Sequence, residues 1–320
     1  MKTAIITGLS GQDGFYLSRL LMAKDYQIVG TTHDPEKIIK KSDFNKVKQV
    51  QLVQWDLLDQ EQLISLVKSY QPAEIYHLAA LSSGSTMFEN SVLMAQINGL
   101  SVIKILEAIR LHSPDTRFCQ ASSSEIFGST SISPQAESTP PMPTNPYGAS
   151  KLYGDNMIRI YREKYGIFAC SAILYNHESP RRPLHFVTRK ITNTAAKIKL
   201  GLATNLALGN LEAIRDWSFA GDAMSAMWFM VQQNTASDYV VSSGIRHTVR
   251  QFCEVAFSYL GLDYLQYVVE DPLFYRPLES VARVGDSQKL RKIGWTSQCS
   301  FTELVHSMVD EDMKILSMTL

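Results

Sequence analysis

Cysteine is scarce in this chain, and its spacing is not typical of metal ligands. The four cysteines in 320 residues stand far apart, at Cys119, Cys170, Cys253 and Cys299. This spacing argues against a disulfide framework or a cysteine-ligated zinc site, and we expect no metal centre. The N-terminus lacks the apolar core of a signal peptide, and no apolar run reaches transmembrane length. We therefore expect reduced thiols, no membrane partner and a cytoplasmic location.

An excess of either charge is also missing. Lys and Arg together number 31, as do Asp and Glu, so the formal net charge is zero. This balance argues against a generally electropositive nucleic-acid-binding protein and favours a small-molecule partner. The chain has no internal repeat or low-complexity segment. Its length and its 45% hydrophobic content are sufficient for one large domain and a smaller one.

Short apolar runs alternate with helical patterns through the first half of the chain. Strand-like runs, each followed by a turn or helical pattern, occupy residues 3–7, 26–31, 50–55, 74–79, 116–121 and 167–174. This alternation predicts an α/β fold with a doubly wound parallel sheet of the Rossmann type. We expect a dinucleotide-binding and catalytic domain over residues 1–174. Residues 175–320 should form mainly a smaller substrate-binding lobe, with segments that return to the first domain.

The first strand leads into a glycine-rich turn at residues 7–14 (TGLSGQDG). Its three glycines permit a tight turn, close approach of backbone to a pyrophosphate, and close helix–strand packing. An ordinary glycine turn that caps a helix is the alternative. The residues predicted to contact a dinucleotide are Gly8, Gly11, Gln12, Asp13, Gly14, Asp34, Asp56, Leu57, Ala79, Tyr147 and Lys151.

Two acidic residues bear on the choice of dinucleotide. Asp34 lies 20 residues after Gly14, where an acid usually binds the ribose hydroxyls of NAD and repels the extra phosphate of NADP. Nearby lysines complicate this inference. Asp56 ends the predicted third strand, where it could accept a hydrogen bond from the adenine amino group or cap a helix. His77, by contrast, is expected to be a packed strand residue.

Tyr147 and Lys151 lie four residues apart after a proline-rich loop, so both should project from one face of a helix. Tyrosine has a pKa of about 10 in model peptides, and a neighbouring ammonium favours the phenolate. The pair therefore predicts a proton acceptor beside a nicotinamide, with the Ser123 hydroxyl orienting the substrate. By itself such a pair is common by chance on helix surfaces.

Glu125 distinguishes this site from a simple dehydrogenase. Oxidation of a sugar C4 hydroxyl makes the C5 proton acidic, and a nearby carboxylate could remove it and protonate the departing C6 hydroxyl. The hydride can then return to C6, so the cofactor is regenerated in each turnover and can stay bound. The alternatives are a surface acid after a strand or a decarboxylase of a nucleotide sugar acid.

Several ordered motifs resemble the GDP-mannose 4,6-dehydratase family of the extended short-chain dehydrogenase/reductases. They include residues 7–14, 74–80 (EIYHLAA), 117–128 (RFCQASSSEIFG), 146–153 (PYGASKLY) and 176–182 (NHESPRR). The resemblance implies catalytic places for Ser123, Glu125, Tyr147 and Lys151, and NADP as the cofactor. It also implies nucleotide-sugar contacts at Asn176, Arg182, Lys190, Arg215, Arg276 and Glu279.

The chain departs from the family pattern at three places. Ser123 replaces the usual threonine, which keeps the hydroxyl. His33 and Asp34 replace basic residues, so local charge favours NAD where the resemblance favours NADP. Pro183 and Leu184 replace glycine and glutamate in a segment that reaches a neighbouring subunit in relatives. A homo-oligomer, either dimer or tetramer, is therefore expected, with an interface near residues 87–111 and 147–165.

The predicted function is a nucleotide-sugar 4,6-dehydratase, a lyase that converts GDP-mannose to GDP-4-keto-6-deoxymannose. This product would be a precursor of deoxyhexoses for surface polysaccharide. The alternatives are a 4-epimerase or dehydrogenase of another GDP-sugar, and a catalytically silent sugar-nucleotide binder.

Overall fold

The computed structural model describes residues 1–33, 49–82, 88–274, 282–318 and 320. The chain divides into two compact units. Unit 1 comprises Met1–Thr130, Glu137–Leu174 and Met224–Val241, and unit 2 comprises Ser131–Ala136, Tyr175–Ala223 and Ser242–Leu320. The division predicted at residues 174 and 175 coincides with one of the boundaries between these segments.

The described strands and helices closely follow the predicted pattern. In chain order the strands are β1 (Thr3–Thr7), β2 (Gln27–Thr32), β3 (Val50–Gln54), β4 (Glu74–His77), β5 (Arg117–Ala121), β6 (Ala169–Leu174), β7 (Asn176–Glu178), β8 (Leu206–Leu208), β9 (Ile214–Arg215), β10 (Trp217–Phe219), β11 (Tyr239–Val241), β12 (His247–Thr248) and β13 (Val268–Glu270). The α-helices are α1 (Gln12–Met22), α2 (Gln60–Tyr70), α3 (Ser91–Met94), α4 (Ser101–His112), α5 (Pro146–Tyr165), α6 (Val187–Lys199), α7 (Ala220–Val231), α8 (Val249–Tyr259), α9 (Gln288–Lys292) and α10 (Phe301–Ser317). Shorter π and 3-10 segments connect some of them.

Unit 1 is built on a seven-stranded sheet in the order β11-β6-β5-β4-β1-β2-β3, and every pair in it is parallel. This arrangement confirms the predicted doubly wound parallel sheet. Because the strands are parallel, the loops that follow β1, β4 and β5 leave the same edge of the sheet. In register, Thr7 at the end of β1 lies beside His77 of β4, and His77 lies beside Gln120 of β5. The glycine turn and the Ser123–Glu125 turn therefore share one edge.

A long helix of unit 1 runs from Ser91 to His112, with a π-helical segment at Ala95–Leu100 between α3 and α4. With 22 residues and a mean hydropathy of 1.5 over 18 of them, it is long and apolar enough to cross a membrane, contrary to the sequence expectation. Half of that stretch is buried, however, and its side chains Val102, Ile105 and Ile109 pack in the core with Phe118. We therefore interpret it as a core helix.

Unit 2 has its own hydrophobic core. Helices α6, α8 and α10 supply buried side chains around Trp217, including Ile191, Phe252 and Leu304. Helices α6 and α10 are also joined by a buried ion pair between Arg189 and Asp312, whose Nη2 and Oδ1 atoms are 2.5 Å apart. Unit 2 also contains three two-stranded sheets, which pair β7 with β10, β9 with β12 and β8 with β13.

Candidate active site

The glycine turn after β1 fits a dinucleotide pyrophosphate. Gly8 has a φ of +72°, and a Cβ there would lie 2.9 Å from the backbone of Ala79. A Cβ at Gly14 would lie 2.5 Å from backbone atoms of Leu9, whereas one at Gly11 would meet only the Gly8 carbonyl at 3.4 Å. Helix α1 begins directly after Gly11, so its first amides and its positive dipole end face this turn.

Thr7 and His77 connect the first and fourth strands through a network that fixes the histidine tautomer. Ser101 donates its hydroxyl proton to the carbonyl of Ile97 at 2.5 Å, so its oxygen must accept from Nε2 of His77 at 2.9 Å. Nδ1 of His77 is then the acceptor for the Thr7 hydroxyl at 2.8 Å. Burial, with a smaller contribution from Lys151, lowers the pKa of His77 to about 3. His77 is thus a neutral structural residue, as expected from the sequence.

The loop after β4 is held on both sides of Ala79. The Thr7 hydroxyl accepts the amide of Leu78 at 3.1 Å and that of Ala79 at 3.0 Å. Farther along, Asn98 of the π-helical segment accepts the Leu81 amide at 2.9 Å and donates to the Leu81 carbonyl at 3.0 Å. These bonds keep the small Ala79 against the glycine turn, where the sequence predicts a contact with a cofactor.

Gln12 and Asp13 stand at the start of α1, where the side-chain amide of Gln12 donates to Asp13 at 3.2 Å. The Asp13 carboxylate is close enough to Lys151 to raise the pKa of that lysine, in opposition to burial. The predicted cofactor residues of the turn and the predicted catalytic lysine therefore belong to one electrostatic environment.

Lys151 and Tyr147 lie on one face of α5, as their spacing predicts. The Lys151 ammonium donates to the carbonyl of Ala121, at the end of β5, across 2.7 Å and stands 5.7 Å from the centre of the Tyr147 ring. Lys151 is buried, and this burial lowers its pKa to about 8 despite the neighbouring acids Asp155 and Asp13. Near neutral pH the ammonium is therefore charged, and it favours a phenolate at Tyr147.

Glu125 is attached to the start of the same helix. Asn145 caps α5 by accepting the Gly148 amide at 2.8 Å, and its Nδ2 donates to the Glu125 carboxylate at 2.9 Å. A Cβ at Gly148 would lie 2.4 Å from the Glu125 carbonyl oxygen, so glycine permits this close approach. Ser123, in turn, accepts the Glu125 amide at 3.2 Å. The fold thus brings Ser123, Glu125, Tyr147 and Lys151 together around the N-terminal half of α5.

The residues predicted at the adenine end are only partly described. Asp56 lies two residues beyond β3, is exposed, and accepts the Leu58 amide at 2.9 Å. The cap of α2 is instead Asp59, so Asp56 does not have the helix-capping role considered as its alternative. Leu57 packs against the core of unit 1. Asp34 lies outside the described residues.

In unit 2, the predicted substrate residues Asn176 and Arg215 come close through strand pairing. Asn176 of β7 is in register with Trp217 of β10, two residues after Arg215. Asp216, which lies between Arg215 and Trp217 in the chain, is buried. It accepts hydrogen bonds from the amides of Ser243, Gly244 and Gly285 at 2.9, 3.0 and 3.1 Å. Burial raises the pKa of Asp216, which these bonds oppose. Asp216 thereby fixes the backbone on which Arg215 stands.

Lys190 and Arg182 have protein partners. The Lys190 ammonium donates to the Ala207 carbonyl at 2.7 Å and lies 4.0 Å from the centre of the Phe274 ring, and burial lowers its pKa. Arg182 forms a 3.2 Å ion pair with Glu178 and stacks on the ring of Phe186 at 3.7 Å. The predicted substrate residues Arg276 and Glu279 lie outside the described residues.

Comparison with known proteins identifies this arrangement. A family model described as GDP-mannose 4,6 dehydratase matches residues 5–308. The Arabidopsis thaliana protein GDP-mannose 4,6 dehydratase 2 is 43% identical over 328 residues, which cover 98% of this chain and 87% of the plant protein. The chain belongs to the GDP-mannose 4,6-dehydratase family. Membership confirms the resemblance seen in the motifs and supports the predicted nucleotide-sugar 4,6-dehydratase activity.

Solved structures with the fold of this dehydratase family contain nicotinamide cofactors. RMD from Pseudomonas aeruginosa, in complex with NADPH, has a TM-score of 0.83 and 23% identity, covering 98% of this chain and 100% of that one. UDP-glucose 4-epimerase from Thermus thermophilus, in complex with NAD, has a TM-score of 0.81 and 25% identity, covering 97% and 98%. A nicotinamide cofactor is therefore supported, in agreement with the glycine turn.

Some residues that build the site were not predicted from the dehydratase motifs. Asn145 had a usable signal, because Asn followed by Pro at the first helical position is typical of a helix start. The partners of His77 and the anchoring role of Asp216 depend on contacts between distant segments, so no local pattern could have revealed them. Asp155 lies four residues after Lys151, a spacing that the sequence shows, whereas its bond to Ser122 joins distant segments.

Proposed function

We propose that this protein converts GDP-mannose to GDP-4-keto-6-deoxymannose with loss of one water molecule. The observation that carries the proposal is the attachment of Glu125 to the N-terminus of the helix that bears Tyr147 and Lys151. A dehydrogenase or 4-epimerase needs the tyrosine and the lysine. A carboxylate held at the same helix end supplies the additional acid and base that elimination requires.

Tyr147 would accept the proton of the C4 hydroxyl as that carbon is oxidised. Lys151, held by the Ala121 carbonyl, stabilises the negative phenolate, and the Ser123 hydroxyl orients the substrate oxygen. A nicotinamide bound beside these residues would supply the hydride chemistry, as an acceptor and then a donor of one hydride in each turnover. The turn around Gly8, Gly11 and Gly14 would hold its pyrophosphate.

Glu125 would carry out the elimination. Its carboxylate removes the C5 proton, which the C4 ketone has made acidic, and a proton delivered to the C6 hydroxyl lets that group leave as water. The Asn145 amide, a donor 2.9 Å from the carboxylate, holds that carboxylate at the start of α5. Hydride addition at C6 and protonation at C5 then complete the 6-deoxy sugar.

The substrate contacts stay part of this proposal. Arg215, on a backbone fixed by Asp216, would bind the diphosphate, because a guanidinium donates several hydrogen bonds in a fixed geometry. Asn176, Arg182 and Lys190 would contribute from the same unit. For Arg182 the Glu178 ion pair suggests an orienting as well as a binding role. Arg276 and Glu279 are assigned by family resemblance alone.

The identity of the nicotinamide depends on the segment after β2. Thr32 ends that strand and His33 follows it, and neither is a strong cation that would bind the extra phosphate of NADP. Asp34, by its position in the sequence, also favours NAD. The family resemblance favours NADP. Mass spectrometry of the nucleotide released by denaturing the purified protein decides between the two.

Self-association completes the proposal. Exposed apolar side chains lie on the α3–α4 helix, at Val92 and Leu100, and on α5, at Tyr153 and Ile160, within the two predicted interface segments. Pairing these helices with those of a second copy would form a dimer, and a tetramer would need a further surface. Light scattering of the wild-type protein and of Ile160→Glu tests this.

A cytoplasmic location agrees with the four free cysteines.

The decisive experiment is incubation of the purified protein with GDP-mannose, without added cofactor, followed by mass spectrometry of the product. Loss of one water is the expected result. An unchanged mass would direct attention to other GDP-sugars, to lost cofactor or to epimerisation, which chromatography checks, and a loss of two hydrogens would indicate simple oxidation. Glu125→Gln should bind the nucleotide sugar but eliminate no water, and unchanged turnover by this variant would reject the assigned mechanism.

A further inference from the structure

Asp155 lies behind the catalytic pair, one helical turn beyond Lys151 and two beyond Tyr147. Residues with this spacing share one face of a helix, so α5 presents a phenol, an ammonium and a carboxylate in a row. The Asp155 carboxylate also reaches the end of β5. There it accepts a hydrogen bond from the Ser122 hydroxyl across 2.5 Å. Ser122 directly precedes Ser123, the residue assigned to orient the substrate.

Hydrogen bonds satisfy the Asp155 carboxylate only in part. Its second oxygen, Oδ1, is buried and has no hydrogen-bond partner among the described residues. The hydroxyl of Ser171 on β6 is the further polar group near this carboxylate: it forms no hydrogen bond in the described part of the chain, but it lowers the pKa of Asp155. Burial of a carboxylate with so few hydrogen bonds is unfavourable unless a cation lies nearby.

Charged groups from each neighbouring element identify that cation as Lys151. Asp238, which precedes β11, faces Asp155, but its charge is balanced by two hydrogen bonds from Arg162 at 2.7 and 3.0 Å. Asp13 of α1 contributes a second negative charge at Lys151. Two acids, Asp155 and Asp13, thus favour the charged form of Lys151.

We propose that Asp155 is a positioning residue for the catalytic site, which keeps the Lys151 ammonium charged and fixes the turn that carries Ser123 through its bond to Ser122. Only the assignment of Lys151 and Ser123 to catalysis rests on the proposed function. Asp155 itself touches neither substrate nor cofactor in this scheme.

Titration of the two groups agrees with this geometry. Burial, with a smaller contribution from Asp238, raises the pKa of Asp155 to about 6, although the hydroxyls of Ser122 and Ser171 and then the Lys151 charge oppose the rise. Burial lowers the pKa of Lys151 to about 8, which Asp155 and Asp13 oppose. Between these two values both groups are charged. Loss of the Asp155 charge should therefore let Lys151 release its proton at lower pH.

Asp155→Asn tests the electrostatic part directly. It removes the charge, keeps an oxygen that can accept from Ser122, and changes the volume little. We would titrate the Lys151 Cε signal by NMR in protein that contains ¹³C-labelled lysine and its bound cofactor, with the signal assigned by its absence in Lys151→Met. The expected result is a decrease in the Lys151 pKa of about one unit or more.

Glu163→Gln is the matched control, because Glu163 is an exposed acid on the same helix, paired with Arg159. It should leave the Lys151 titration unchanged. An Asp155→Asn protein whose Lys151 titrates as in the wild type would overturn the proposal, even if its melting temperature fell. This titration requires no turnover, so it remains decisive if GDP-mannose proves not to be the substrate.

Ser122→Ala provides a second variant that leaves α5 unaltered and also serves if Asp155→Asn does not fold. Loss of a hydrogen bond to the ionised carboxylate should raise the pKa of Asp155. Because the turn that carries Ser123 then loses its bond to Asp155, kcat with GDP-mannose should fall across the pH profile, with KM unchanged. In Asp155→Asn the alkaline limb should move to lower pH. Profiles that superimpose on the wild type in both variants would also reject the positioning role.

Discussion

Asn145 donates a hydrogen bond from its Nδ2 to the Glu125 carboxylate across 2.9 Å, while its Oδ1 accepts the amide of Gly148 at 2.8 Å. One side chain therefore both begins α5 and holds the proposed acid/base group. The helix that positions Tyr147 and Lys151 also positions Glu125, so the oxidation and elimination groups are fixed relative to one another by a single N-terminal cap.

Asn145→Asp should separate these two roles. Aspartate caps a helix about as well as asparagine, so the free energy of unfolding should change by only a few tenths of a kcal/mol. The variant loses the donor to Glu125 and places a second negative charge beside it, which repels the carboxylate from its position at the helix start. We expect kcat for water loss to fall by about 10²-fold. Steady-state kinetics and urea unfolding measure the two effects.

Asn145→Ser is the control for that substitution. Serine keeps the cap but removes the donor without adding a charge, so its kcat should lie between those of the wild type and Asn145→Asp. Equal activity of Asn145→Asp and the wild type would show that the observed hydrogen bond has no part in elimination.

Local patterns predicted most of the fold because they depend on neighbours in sequence. The runs at residues 3–7 and 116–121 form β1 and β5, within a residue of the expected bounds. The Tyr147–Lys151 pair was predictable for the same reason, since helical spacing fixes its geometry. The hydrogen bonds from Asn145 to Glu125 and from Ser122 to Asp155 join segments 20 and 33 residues apart, and chain folding alone brings these together.

Arg182 illustrates the limit of prediction from a motif. Its family position implies a substrate contact, and residue type gives no reason to doubt it. The structure adds the Glu178 ion pair and the Phe186 ring, neither of which a motif specifies. Residue identity therefore indicated the kind of ligand. The orientation of the guanidinium, however, depends on two side chains, Glu178 in β7 and Phe186 directly before α6.

Two glycines of the turn at residues 7–14 should respond differently to alanine. A Cβ at Gly11 meets only a carbonyl oxygen at 3.4 Å, so Gly11→Ala should fold normally but place a methyl group where a pyrophosphate would approach. A Cβ at Gly14 lies 2.5 Å from the Leu9 backbone, so Gly14→Ala should destabilise the protein by about 1–3 kcal/mol. Bound cofactor per protein and the melting temperature distinguish these effects.

The expected outcome is a Gly11→Ala protein with near wild-type stability and little cofactor, and a Gly14→Ala protein with a lowered melting temperature. Full cofactor occupancy in Gly11→Ala would contradict the assignment of this turn to the pyrophosphate.

Gly148 should tolerate alanine much less well than Gly154, although both lie within α5. A Cβ at Gly148 would stand 2.4 Å from the Glu125 carbonyl oxygen, and only movement of the helix or of the Ser123–Glu125 turn could relieve this contact. At Gly154 the nearest atom is a methyl group of Val102 at 3.1 Å, which a side-chain adjustment can relieve.

Alanine favours a helix by about 1 kcal/mol over glycine, which offsets the crowding at Gly154. We therefore expect Gly154→Ala to retain stability and activity, and Gly148→Ala to lose both, with a cost of about 1–3 kcal/mol. Urea unfolding and product mass spectrometry provide the measurements. Wild-type turnover by Gly148→Ala would show that the close approach of helix and turn is unnecessary.

Lys151 should make the stability of the protein depend on pH in a defined window. Its pKa is about 8 in the folded protein and 10.5 as an ordinary lysine, because burial disfavours the ammonium. Below about 8 the folded and unfolded states both bind the proton, so the cost of burying the charge is fully present. As pH rises from about 8 to 10.5, the unfolded state holds a proton that the folded state has released, and stability increases.

The difference between 10.5 and about 8 corresponds to about 3 kcal/mol. Lys151→Met removes this titration while nearly preserving volume, so the stability of the wild type relative to the variant should rise by about that amount across the window. Lys68→Met, at an exposed position of α2, is the control and should show a constant difference from the wild type. Urea unfolding over this pH range tests both. Lys151→Met should also lose turnover, because Tyr147 then lacks the cation that favours its phenolate. A wild-type curve parallel to that of Lys151→Met would mean that the buried lysine titrates as it does in water.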